Sequence, residues 1–229
     1  MLSRDDVFQE LGIGPVWRLR ETPAPEATSA YTWETLTDAV AHCAACKLSA
    51  TRTQGVLGVG DRNADWLIVG EAPGAEEDAQ GEPFVGQAGK LLDAMLAAIG
   101  LQRGDNVYIT NVLKSRPPGN RNPEPDEVAA CRPYLLAQIE LIQPKLILAL
   151  GRFAAQSLLG TDEAIARLRG RVHQFQHVPL VVTYHPAYLL RNQALSEKRK
   201  LWEDMLQVME RLGLPASDKQ RSYFLKGNS

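Results

Sequence analysis

The sequence predicts an α/β protein, a three-layer α/β/α domain with a central four-stranded parallel sheet. Four short runs, at 66–70, 107–110, 145–150 and 179–183, are almost continuously apolar, which suits strands covered on both faces. The longer segments between them place apolar residues at helical spacing. The two kinds of segment alternate along the chain, as they do in proteins built from strand–helix–strand units.

Each element has its own justification, in chain order. Residues 3–13 carry a short helical pattern behind Ser3, a residue suited to capping. The Pro- and Ala-containing stretch 22–29 reads as an extended linker, so residues 1–30 are expected as an N-terminal appendage. A helix over 33–45 leads to strand 66–70. Helix 88–99 follows, with Leu91, Leu92, Met95, Leu96 and Ile99 on one face, and then strand 107–110. Helix 126–142 carries the stripe Val128, Cys131, Leu135, Ile139 and Ile142. Strand 145–150, helix 152–159 and strand 179–183 come next. The final helix, 196–212, carries Leu201, Met205, Val208, Met209 and Leu212. The main domain is expected over 31–213, with 214–229 as a C-terminal tail.

At 229 residues, 45% hydrophobic and 23% charged, the composition is that of an ordinary globular domain. No apolar run approaches the ~20 residues of a membrane span, and the first residues do not read as a secretory signal. Three cysteines in such a chain do not suggest a disulfide framework, and the expected compartment is the reducing cytoplasm. A net charge of −2 does not advertise a nucleic-acid partner, so any such surface must be a local basic face.

In open α/β sheets, ligands sit beyond the carboxyl ends of the strands. That rule selects residues 70–87, 111–125, 151–152 and 184–191. In the first segment, Gly70-Glu71-Ala72-Pro73-Gly74 lets the backbone turn sharply beside a ligand. Glu71, directly after a buried strand, can orient a water or stabilise developing positive charge. Phe84 reads either as a loop anchor or as a stacking platform for a planar base. In the second segment Asn111 is either a turn residue or a reader of a base edge, since a carboxamide presents donor and acceptor in one plane. Lys114, Arg116 and Arg121 make this loop basic and suit phosphate contacts. In the third, His185 is either a histidine satisfied by local backbone or a donor to an anionic leaving group. Tyr188-Leu189-Leu190 is either the start of a packed helix or a wedge for a base stack, and Arg191 stands beside it for a phosphate.

Three runs resemble the motifs of the family 4, iron–sulfur type, uracil-DNA glycosylases. They are Gly70 to Leu92, Asn111-Val112-Leu113-Lys114 continuing into Arg116-Pro117-Pro118-Gly119-Asn120-Arg121, and His185-Pro186-Ala187-Tyr188-Leu189-Leu190. The resemblance covers roughly residues 36–212. It implies a uracil-DNA glycosylase-like fold and hydrolysis of the N-glycosidic bond of uracil in single- or double-stranded DNA, the first step of base excision repair. Glu71 and His185 are then catalytic. Ala72, Glu77, Phe84 and Asn111 bind the extruded base, with Asn111 on the N3–H and O4 of uracil and Glu77 closing the pocket against a thymine methyl. Lys114, Arg116, Arg121, Tyr188, Leu189 and Arg191 meet DNA. The implied partner is uracil-containing DNA, with no membrane, and the chain is expected as a monomer. Two alternatives stand beside this reading: a glycosylase with an altered base range, such as hypoxanthine or xanthine, and a non-catalytic DNA-binding module.

Cys43-Ala44-Ala45-Cys46 has ligand spacing, whereas Cys131 on its apolar stripe also reads as an inert core thiol. The resemblance implies a [4Fe–4S] cluster on Cys43, Cys46, Cys131 and a fourth cysteine, but Ser115 occupies that fourth position, with fifteen residues between it and Cys131. A hydroxyl is a poorer ligand than a thiolate. The site is then a cluster with three thiolates and an oxygen, a smaller cluster or a zinc with His42 nearby, or empty. A cluster that still binds, less firmly, is the expectation.

Overall fold

The computed structural model of the protein describes residues 31–222. The helix and linker expected within 1–30 lie outside the described residues, as does the end of the expected tail.

The elements are α1 (Trp33–Ala41), β1 (Val59–Gly60), β2 (Trp66–Gly70), α2 (Ala75–Gln80), α3 (Gln87–Ala98), β3 (Val107–Asn111), α4 (Pro125–Ile142), β4 (Leu146–Leu150), α5 (Arg152–Leu159), α6 (Ile165–Leu168), β5 (Val172–Phe175), β6 (Val178–Thr183), α7 (Pro186–Arg191), α8 (Leu195–Arg211) and α9 (Asp218–Ser222). Short 3₁₀ turns cover Lys47–Ala50 and Pro118–Asn120. Among these residues no helix is long and apolar enough to cross a membrane.

The sheet order is β1-β3-β2-β4-β6-β5. Its centre, β3-β2-β4-β6, is parallel throughout, and these are the four strands expected from the apolar runs. The sheet is nevertheless six-stranded and mixed, because β1 and β5 add antiparallel edges to β3 and β6. The edges escaped notice for a physical reason. β1 is two residues long, and β5 is half-exposed with His173 and Gln174 in its middle. Edge strands need no continuous apolar run, and short, polar ones guard against unwanted pairing.

Side chains alternate across each strand, and the two faces build two cores. Leu67, Val69, Ile147, Ala149, Leu180 and Val182 face a cluster completed by Cys131, Leu135 and Ile139 of α4 and Ala154 and Leu158 of α5. Trp66, Ile68, Leu146, Leu148 and Val181 face one completed by Leu92, Met95 and Leu96 of α3 and Leu201, Met205, Val208 and Met209 of α8. At about 25 cal/mol per Å² of apolar surface removed from water, these two layers are the main stabilising contribution. Helix α1 packs Leu36 and Val40 on Ala137 of α4. Residues 214–222 return to the body: Trp202 Nε1 donates to the Gln220 carbonyl at 2.8 Å and Gln220 Nε2 to that of Ala98 at 2.9 Å.

Helix α1 ends at Ala41, four residues before the expected boundary. The Arg52 guanidinium accounts for the stop. Its Nη2 donates to the carbonyls of Val40, Ala41 and Cys43 at 3.1, 2.9 and 3.1 Å, satisfying acceptors that a continuing helix would have used.

The register places the functional loops at one level. Gly70 pairs with Asn111 and Leu150 with Thr183, so the segments after β2, β3, β4 and β6 all leave the same edge of the sheet.

Candidate functional site

Those loops enclose a cleft of about 470 Å³ lined by Glu71, Ala72, Glu77, Phe84, Asn111, Arg121, His185 and Arg191, among others. Most of the sequence-selected residues therefore come together around one space. Lys114, Arg116, Tyr188 and Leu189 are not among those lining it.

The floor is set by Gly70. A methyl group there would meet Asn111 Oδ1 at 2.3 Å and the Phe84 ring at 2.5 Å, so only glycine lets both side chains cross the end of β2. Phe84 reaches this place through a left-handed backbone, φ 56°, which costs a bulky residue roughly 1–3 kcal/mol. Its ring stacks beside His185, with centroids 5.4 Å apart and an interplanar angle of 28°. Phe84 is buried on the α3 side of the core, as a loop anchor is, and its ring also lines the cleft.

Asn111 is also buried, and its Oδ1 accepts no hydrogen bond. A buried acceptor left unmade costs about 1–3 kcal/mol. Here it lies over Gly70 beside the Phe84 ring, on the wall of the cleft.

His185 caps α7, with Pro186 as the first helical residue. Its Nδ1 accepts from the Ala187 N–H at 3.2 Å. That bond assigns the proton of the neutral ring to Nε2. Burial pushes the imidazole down to about 4, Arg191 adds to the effect, and Glu77 opposes it. At neutral pH this is an uncharged ring with one N–H to donate. Burial raises the carboxyl of Glu71 above its ordinary value, against the opposing pull of Arg152 and Arg191.

Glu77 braces the loop. Its Oε2 accepts from the Gly74 N–H at 3.0 Å, and its Oε1 accepts from the N–H groups of Val85 and Gly86 at 3.0 and 3.2 Å. One carboxylate thus ties the start of α2 to the chain around Phe84. Asp78 makes a similar tie, accepting from Thr53 N–H at 2.9 Å and Thr53 Oγ1 at 2.8 Å.

Several expected DNA contacts need correction. Lys114 is fully buried, and Nζ donates to Thr110 Oγ1, the Asn111 carbonyl and Gln138 Oε1 at 2.6, 2.7 and 2.6 Å. Desolvation lowers its ammonium to about 7; it braces β3 and meets no phosphate. Arg121 is bidentate on the buried Glu127, yet it stays partly exposed and lines the cleft. Leu189 is buried in the core, while Leu190 is 42% exposed. The segment is the helix α7, whose inward face takes Leu189. Tyr188 is half-buried. Its hydroxyl donates to Glu197 Oε2 at 3.3 Å and accepts from Asn192 Nδ2 at 3.0 Å. Arg116 donates to Asn120 Oδ1 at 2.7 Å and stays partly open to solvent. Arg191 is exposed at the rim.

Two arginines were not anticipated. Arg152, at the start of α5, bears on Glu71; its segment was selected by the strand-end rule, but nothing marked the residue. Arg103 donates to the carbonyls of Pro83 and Phe84 at 2.8 and 2.7 Å. It lies outside every motif, and no sequence signal marks it.

The cysteine corner lies behind the second loop. Cys131 is buried, and its Sγ accepts from the Lys114 N–H at 3.5 Å. Burial raises its thiol, and Cys46 and Cys43 are near enough to raise it further. Tyr134 donates to Cys43 Sγ at 3.2 Å. At the fourth position, Ser115 Oγ accepts from Arg52 Nη1 at 2.8 Å. Among the described residues, no group of three or more His, Cys, Asp or Glu side chains is set to hold a metal ion. His42 turns to Asp38, at 3.0 Å. A four-thiolate cluster therefore does not fit this donor set: three thiols are present, and the fourth corner is a hydroxyl already bonded to a guanidinium.

Comparison with known proteins agrees with the geometry. The family model of the uracil DNA glycosylase superfamily matches residues 57–206. The chain is 49% identical to a type-4 uracil-DNA glycosylase of Archaeoglobus fulgidus over 164 residues, 68% of this chain and 82% of the relative. It is 43% identical over 205 residues to one from Sulfurisphaera tokodaii, covering 86% of this chain and 91% of the relative. A third, from Thermotoga maritima, is 44% identical over 174 residues, 75% of this chain and 90% of the relative. The chain belongs to the uracil DNA glycosylase superfamily, among its type-4 members.

Proposed function

We propose that this protein hydrolyses the N-glycosidic bond of uracil in DNA, with the base held in the cleft between Phe84 and Asn111. The observation that carries this reading is the unpartnered Asn111 Oδ1 beside an aromatic face. A buried acceptor next to a ring platform calls for a planar ligand with an N–H on its edge. Uracil supplies N3–H to Oδ1, and its O4 receives the carboxamide N–H. Cytosine has an acceptor at N3 and would face Oδ1 lone pair to lone pair.

A base inside a duplex is out of reach, so it is extruded, at a cost of a few kcal/mol in lost stacking. Bond cleavage then builds negative charge on the base and positive charge on the sugar. The His185 Nε2–H donates to the base oxygen O2, and the neutral ring keeps its proton while it stabilises the charge that develops there. The Glu71 carboxylate faces the sugar and orients the attacking water. Glu77 and Ala72 shape the wall. Arg191 and Arg116 meet flanking phosphates, and Leu190, not Leu189, enters the vacated stack. The relatives do not favour the altered-base or non-catalytic alternatives.

Cys43, Cys46 and Cys131 are the residues that would hold an iron–sulfur group, through three thiolates, and it would tie the 43–46 segment to the 115–131 loop. No catalytic step passes through it.

Incubation with a single-stranded oligonucleotide bearing one uracil, followed by alkali, tests the proposal. Strand cleavage by the wild type and its loss in Glu71→Gln are expected. An intact strand beside a working control enzyme would refute the proposal.

A further inference from the structure

We infer that Arg103 is the positioning residue of the Phe84 platform, and that through Phe84 it sets how tightly the cleft grips a planar base. The inference rests on the uracil reading above.

Arg103 lies in the turn after α3. Its Nη1 and Nη2 fork onto two successive carbonyls, those of Pro83 and Phe84, at 2.8 and 2.7 Å. Behind the fork, Nε and Nη2 donate to Asp93 Oδ1 of α3 at 3.2 and 3.1 Å. The carboxylate thus aims the guanidinium, and the guanidinium fixes the backbone at Phe84. This is the residue whose left-handed backbone turns its ring over Gly70.

The opposite side of the same carbonyl is equally closed. A Cβ at Gly89 would lie 1.7 Å from the Phe84 oxygen, so α3 approaches the loop backbone to the limit. Gly89 and Arg103 together leave the Phe84 carbonyl one direction. A planar fork makes this double contact; a lysine ammonium, a point charge on a flexible stem, does not reproduce it. The Arg103 side chain is 23% exposed, so methionine, of similar length and apolar, is the replacement that fills its space.

The test measures inhibition by free uracil, with kcat and KM, for the wild type, Arg103→Met and Arg103→Lys. Arg103→Met is expected to weaken inhibition by uracil about tenfold, the scale of one aromatic contact. It should raise KM more than it lowers kcat per folded molecule, with an unfolding midpoint lowered by the two freed carbonyls, and Arg103→Lys should fall between. In a Phe84→Ala background, Arg103→Met should have no further effect, since both act through one ring. Unchanged inhibition by uracil in Arg103→Met, or the same loss added on top of Phe84→Ala, would overturn the inference. A wild type that releases no uracil overturns the glycosylase reading and this inference together. An active wild type with unchanged inhibition in Arg103→Met overturns this inference alone.

Discussion

The cleft and the cysteine corner share the segment that runs from the end of β3 at Asn111 into α4 at Cys131, yet they treat their polar atoms in opposite ways. In the cleft, Asn111 Oδ1 is buried and left without a partner. In the cysteine corner, Ser115 Oγ is bonded by Arg52, which also closes the end of α1. An unmade buried bond costs stability and persists where a ligand completes it. A completed one points to a site whose structure no longer waits on a fourth ligand atom. Lys114 stands between the two regions, with Nζ on the Asn111 carbonyl and its backbone N–H on Cys131 Sγ.

Substitutions can break this comparison. Removing a cleft group should act first on rate, and at Glu71 it should spare stability. Glu71→Gln is expected to lower kcat by about 10²–10⁴-fold, read in single-turnover base release, with the unfolding midpoint unchanged. His185→Ala should lose a donor to developing charge and about 10²–10³ in kcat. Either variant at undiminished rate would remove that residue from the chemistry.

The corner should behave in the reverse sense. Ser115→Cys is expected to raise bound iron and the absorbance near 400 nm in anaerobically purified protein, while base release per folded molecule changes less than about threefold, since no chemical step involves that corner. Wild type that is colourless and iron-free would end the three-thiolate proposal. Arg52→Met should cost about 1–3 kcal/mol through the uncapped carbonyls, seen as a lower unfolding midpoint.

The smallest effect concerns pH. With its folded pKa near 4 instead of 6.5, His185 stays neutral from pH 8 to 5, so no rate loss should appear near 6.5. The acid limb belongs to Glu71, whose carboxyl is raised; it should begin above the ordinary carboxylate range and vanish in Glu71→Gln. The sign for stability follows from the same shift. Between pH 6.5 and about 4 the unfolded histidine takes up a proton and the folded one does not, so stability falls as pH falls through that window. His185→Gln should show a shallower fall in denaturant titrations over that range.

The central strands were legible because a strand covered on both faces must be apolar along its whole length, as at Leu146–Leu150. The edges β1 and β5 carry no such demand. In the site, Glu71, Asn111 and His185 were legible as residues ending buried strands. What chain position does not reveal is direction. Lys114, four residues beyond Thr110, folds back to bond it. Leu189 and Leu190 are neighbours in one helical turn, yet the first is buried and the second exposed. Arg103 and Arg52 act on carbonyls, and a carbonyl leaves no trace in a sequence.

The most direct measurement compares base release from three matched single-stranded oligonucleotides, carrying one uracil, one cytosine or one thymine. The proposal, with Asn111 Oδ1 accepting from N3–H and Glu77 proposed to exclude a 5-methyl group, predicts release of uracil alone. Release of cytosine at a comparable rate, or no release of uracil, would contradict it.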